Sequence, residues 1–271
     1  MRPLARSITA ISALACSLAH GQYAAKVTVN SGNSFVVKQL NIQGDRLKSD
    51  TGLASTSLSM IKSVEFRFSG INLNMCETMF RSGDRNALES LLKQYVGPVA
   101  KYSYLSGNMG DYLLWMLRVQ YWNGKASDAA NTAKQLIQTN VPEYIDASTL
   151  YSTMMLLDQG KPDEAQAAFS SVADPEALSV PMAEYIRGKL ALEAGEYRDA
   201  MKHTAQIVAF HSLDPEWMAP ATGLEALIYQ QTGQLKKADT VATELMIAYP
   251  GTRWSKLGET IKKETTGTSG G

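Results

Sequence analysis

Hydrophobic positions along this chain follow two different rhythms. Between Lys26 and Phe68 they alternate in short runs: Val27/Val29, Phe35-Val36-Val37, Leu40/Ile42, Leu47, Leu58/Met60, and Val64-Glu65-Phe66-Arg67-Phe68. A period of two marks half-buried strands. Ser31-Gly32-Asn33, Gln43-Gly44-Asp45 and Asp50-Thr51-Gly52 separate the runs with turn-forming residues, so the pattern predicts four or five strands in a small meander or half-barrel over residues 22–70. From residue 71 to 264 the spacing becomes helical, and five segments share a glycine followed five places later by a small or aliphatic residue. These are Gly83/Leu88, Gly124/Ala129, Gly160/Ala165, Gly195/Ala200 and Gly233/Ala238. A recurrence every 35 to 41 residues predicts repeated helical hairpins. In each, the glycine ends one helix in the left-handed conformation and the small residue lets the next helix approach closely.

The hairpin pattern resembles the tetratricopeptide repeat. The fourth unit has Gly188, Ala191, Gly195, Tyr197 and Ala200 in that register, and the fifth has Tyr229, Gly233, Ala238 and Pro250. Gly160, Ala165 and Phe169 fit in the third unit, where Pro162 replaces an aromatic at a first helical turn. The second unit keeps Gly124, Ala126, Ala129 and Ala133, and the first keeps Gly83 with the stripe Leu88, Leu91 and Leu92. The resemblance implies a mainly α fold, a solenoid of four to five helical hairpins preceded by the all-β unit. Residues 97–110, with Gly97-Pro98 and Ser106-Gly107-Asn108, predict a bent connection between the first unit and the rest. Trp254, Leu257 and Ile261 predict a capping helix, and residues 265–271 a flexible tail. The strand unit looks loosely like the Sm-like or SH3-like modules of some exported bacterial proteins.

An address is written at the start of the chain. Arg2 and Arg6 precede a largely apolar run from Ser7 to Ala19, too short for the roughly 20 residues of a spanning helix, and Ala19-His20-Gly21 offers small residues at a cleavage position. Residues 1–21 are therefore expected to be a signal peptide cut before Gln22, with lipid anchoring at Cys16 the alternative. The protein is expected to be periplasmic or secreted and not membrane-spanning. With Cys16 removed, Cys76 has no intramolecular partner and is expected to be buried and inert.

Charge changes the picture by exclusion. The 26 basic and 26 acidic residues balance, and the strand unit holds six bases, scattered, against three acids. A dedicated nucleic-acid surface is not expected. The chain has no phosphate loop, HExxH, GxSxG or CxxC, and no cofactor, metal or enzyme activity is expected. His203 and His211 are read as solvated or capping residues.

The tetratricopeptide resemblance implies a concave groove lined by the first helix of each hairpin, which binds a protein or peptide. Carried into this chain, that register gives Leu114, Arg118, Tyr121 and Trp122, then Leu150, Met154 and Leu157, then Tyr185, Lys189, Leu192 and Glu193, then Leu227, Gln230 and Gln231. Aromatics and an arginine are typical interface anchors, and the alternative for Tyr121 and Trp122 is burial between hairpins. The stretch Tyr249-Pro250-Gly251-Thr252-Arg253-Trp254 looks like exported helical-repeat proteins of envelope assembly. Two functions follow: a scaffold that binds another envelope protein or peptide, or a structural, oligomer-forming subunit.

Overall fold

The computed structural model describes residues 23–48 and 55–267. The expected leader with Cys16, the Asp50-Thr51-Gly52 turn and residues 268–271 lie outside them, and the expected tail of residues 265–271 is corrected at its start, where residues 265–267 are the last of a helix. Six strands are present among the described residues: β1 (Tyr23–Val29), β2 (Ser34–Val37), β3 (Asn41–Gln43), β4 (Arg46–Lys48), β5 (Ser55–Ser57) and β6 (Ile61–Phe68). They form two antiparallel sheets, ordered β2-β1-β6 and β3-β4-β5. Of the two expected arrangements, a meander or a half-barrel, the single meander is corrected, because β6 returns to pair with β1 and not with β5, and six strands stand where four or five were expected. The physical reason is burial: Val27 faces Val64 and Ala25 faces Phe66, and all four residues are inside. Gly32 and Gly44, at positive φ, make the turns the sequence located.

The rest is helical: α1 (Leu73–Arg81), α2 (Arg85–Tyr95), α3 (Met109–Trp122), α4 (Ala126–Ile137), α5 (Pro142–Asp158), α6 (Pro162–Ser170), α7 (Pro175–Leu178), α8 (Val180–Glu193), α9 (Tyr197–Phe210), α10 (Met218–Gln231), α11 (Leu235–Ala248) and α12 (Arg253–Gly267). The five glycines that end α1, α3, α5, α8 and α10 all have φ between 70° and 85°. The five partner positions, Leu88, Ala129, Ala165, Ala200 and Ala238, are completely buried. Each glycine thus turns a helix back, and each small residue sits where the returning helix meets its neighbour. A Cβ on Gly188 would come within 2.8 Å of Leu224, which explains the glycine inside α8. Prolines enter α5, α6, α7 and α8 within their first two positions, where no helical hydrogen bond is lost.

Residues 97–110 do more than bend. After a 3-10 turn over Gly97–Tyr102, the segment Ser106-Gly107-Asn108 lies along the open edge of β6. Val64 N donates to Ser106 O, Phe66 N donates to Asn108 Oδ1, and Asn108 Nδ2 donates to Phe66 O. The Asn108 amide stands in for another strand's backbone. Tyr102 OH donates to Leu40 O, and the Phe68 and Tyr112 rings meet edge to face at 5.0 Å, so strands and helices share one core.

Cys76 lies buried in α1, and loss of hydration pushes its thiol up to about 12. Alkylation by iodoacetamide at pH 8 is expected to be slow in the folded protein and fast in denaturant, as peptide mass mapping would show. Rapid labelling without denaturant would contradict this burial. No helix among the described residues is long and apolar enough to cross a membrane.

Candidate functional site

Side chains from α2, α3, α5, α8, α12 and the α9–α10 linker converge on one buried cluster. Its centre is Glu216, in the linker, whose backbone N–H is held by Asp214 Oδ1 at 2.8 Å. The Glu216 carboxylate is buried and receives bonds from Trp122 Nε1 (2.7 Å), Tyr151 OH (3.0 Å) and the Arg118 guanidinium. Arg85 Nη2 donates to the neighbouring Pro215 O at 3.3 Å. Beside this lies a second carboxylate, Asp158 at the end of α5, which receives Tyr121 OH (2.9 Å), Lys189 Nζ (2.8 Å) and Arg253 Nη1 (3.4 Å).

Aromatic rings fill the space between these charges. Arg253 lies over Tyr121, Trp122 and Trp254, with its guanidinium carbon 4.5 to 4.8 Å from each ring centre. Arg118 lies over Trp115 at 4.2 Å and Phe80 at 4.8 Å. Trp217, two per cent exposed, packs against Trp122 and Tyr185. Flat cations between rings give up less hydration than ammonium groups do, which suits arginine to this setting.

The charges do not balance: Arg85, Arg118, Lys189 and Arg253 face Asp158 and Glu216. The excess is felt at Arg85, which burial pulls below its ordinary value, with Arg253 and Arg118 adding to the effect and Glu216 opposing it. Burial also pushes the Tyr121 and Tyr151 hydroxyls well up, so both are neutral donors to the carboxylates. At Asp158 burial works towards raising the carboxyl. Lys189, Arg253 and the Tyr121 hydrogen bond outweigh it and hold Asp158 below its ordinary 3.8.

The sign of the pH dependence follows. A depressed carboxyl contributes stability that is complete above its unfolded value and lost as pH falls through the folded one. The melting temperature is therefore expected to fall below about pH 4, and the gap between wild type and Asp158→Asn to shrink there, measured by circular dichroism melts from pH 7 to 2.5. A gap independent of pH would contradict the ion pairing.

The cluster divides the expected groove into two openings. One, a cavity of about 310 Å³, is lined by Glu77, Phe80, Arg81, Trp115, Arg118, Asp214, Pro215 and Glu216, with the almost fully exposed Leu213 next in sequence to its rim. The other, about 360 Å³, is lined by Asp158, Tyr185, Lys189, Leu224, Leu227, Arg253, Trp254 and Leu257. Of the expected groove residues, Arg118 reaches the first opening, and Tyr185, Lys189 and Leu227 reach the second. Leu114 is half-buried beside Trp115. Tyr121, Trp122, Met154, Leu150 and Leu157 are core residues, which is the alternative foreseen for the two aromatics. Gln230 donates to Glu264 of α12, Gln231 is exposed at the end of α10, and neither lines an opening.

Glu216, Trp217 and Arg253 were not among the expected site residues. The available signal was Asp214-Pro215-Glu216-Trp217, an acid and an indole after a proline, in a linker where neither is needed to make a turn. His203 Nδ1 lies 2.8 Å from Glu184 Oε2, and His211 ends α9.

No family model, no curated protein and no solved structure matches this chain.

Proposed function

We propose that the protein is a non-catalytic, protein-binding scaffold of the bacterial cell envelope, its hairpins forming a tetratricopeptide-like solenoid that engages another envelope protein or peptide. The observation that carries this reading is the first opening. Phe80, Trp115 and Arg118 form a partly open wall of two rings and a stacked cation, and Leu213, 94 % exposed, stands next to it. Aromatic and arginine anchors beside an exposed aliphatic are the composition of an interface centre. The partner would lie on the face between α1, α3 and the α9–α10 linker, not in an uninterrupted groove.

The test is capture from envelope extract with purified protein, comparing wild type with Leu213→Asp and Trp115→Ala. A partner retained by wild type and lost from Leu213→Asp, whose side chain supports no packing, supports the reading. Equal capture by all three forms contradicts it, and recovery of the protein's own chain alone favours the oligomer-forming subunit.

A further inference from the structure

The second opening has a chemistry of its own. On one side Lys189 and Arg253 share a single carboxylate, Asp158. Lys189 has three donor hydrogens and spends one of them on Asp158, while its side chain is 13 % exposed at the cavity wall. The rest of the lining is Leu224, Leu227, Leu257, Trp254 and Tyr185, largely apolar, with the Trp254 indole N–H and the Tyr185 hydroxyl as its polar groups. A ligand that matches both walls needs one negative charge and an apolar body. A phosphate monoester, at about −1.5 to −2, exceeds the local surplus of one positive charge. A peptide would set a row of N–H and C=O groups against Leu224, Leu227 and Leu257, which satisfy none of them, and the Trp254 indole could meet only one carbonyl.

We infer that this cavity binds a monoanionic amphiphile, a single carboxylate on an alkyl or aryl body of about ten carbons, a size suited to a small-molecule pocket. The carboxylate meets the Lys189 donor hydrogens not spent on Asp158, and the body lies against Leu224, Leu227, Trp254 and Leu257. The site is separate from the partner surface proposed above, so each stands or falls alone.

Decanoate is the probe, with decanol, a short peptide with a free C-terminal Leu-Phe carboxylate, and that peptide's amide as comparisons. Trp254 lines the cavity and gives an intrinsic fluorescence signal, with calorimetry as the second readout. Saturable 1:1 binding of decanoate is expected, with decanol and both peptides at least about tenfold weaker. Lys189→Met should weaken decanoate about tenfold, and Asp158→Asn, which removes the competing carboxylate, should strengthen it. The comparison on wild type holds even if a variant misfolds. Decanol binding as tightly as decanoate overturns the charge requirement, a tighter peptide overturns the apolar body, and no saturable decanoate binding at about 1 mM overturns the site.

Discussion

Glu216→Gln is expected to lower stability by about 3–5 kcal/mol, the usual cost of removing one partner of a buried ion pair. The substitution keeps the shape of the side chain. Oε1 and its two donors, Trp122 and Tyr151, can still be served by an amide oxygen, but the Oε2 that meets Arg118 becomes an NH₂ facing a guanidinium. Arg118 would then be left among Arg85, Phe80 and Trp115 without its counter-charge. For a protein of this length the loss corresponds to a drop in melting temperature of about 6–20 °C, read by calorimetry. Glu176→Gln is the control: Glu176 is half exposed and its partner Arg187 keeps Glu184, so a change within about 0.5 kcal/mol is expected. Equal effects from the two variants would show that the Glu216 cluster does not hold the linker to α3.

Gly107→Ala should push the Ser106-Gly107-Asn108 loop off the edge of β6. Gly107 has φ of 151°, and a Cβ there would lie 1.9 Å from Val64 O, a backbone atom that cannot turn aside. Strain and overpacking each cost about 1–3 kcal/mol, so a loss of about 3 kcal/mol is expected. Its signature is local. The Val64 and Phe66 amides, which donate to Ser106 O and Asn108 Oδ1, should exchange with deuterium much faster, while amides within α10 and α11 change only as far as global stability falls. Unchanged protection at Val64 and Phe66 would contradict the edge-capping role of this loop.

These two sites mark where the sequence was legible and where it was not. The hairpins could be read because each needs only local chemistry, a glycine at positive φ and a small residue five places on. The two longest strands could be read because Val27, Val64 and Phe66 alternate with polar neighbours. Their partnership could not, since it depends on β6 returning past four intervening strands. Gly107 was visible as a turn, but its meaning comes from Val64, 43 residues away. The same holds for the inner cluster. Trp122 and Glu216 are 94 residues apart, and Tyr121 and Arg253 are 132 apart. A repeat register assigns faces to helices but does not state which distant segments meet them. The α9–α10 linker and the start of α12 lie against α3, which makes Tyr121 and Trp122 core residues and leaves the two openings.

The proposed scaffold function is tested most directly by site-specific photo-crosslinking in the cell envelope. A photoreactive amino acid at Leu213, next in sequence to the rim of the first opening, is compared with one at Ile247, 74 % exposed on α11 and outside both openings. The account predicts one discrete heterologous adduct from position 213, absent from position 247 and abolished by Trp115→Ala in a variant that retains its helical circular dichroism. Adducts from position 247 alone, or from position 213 only to a second copy of this chain, would contradict it.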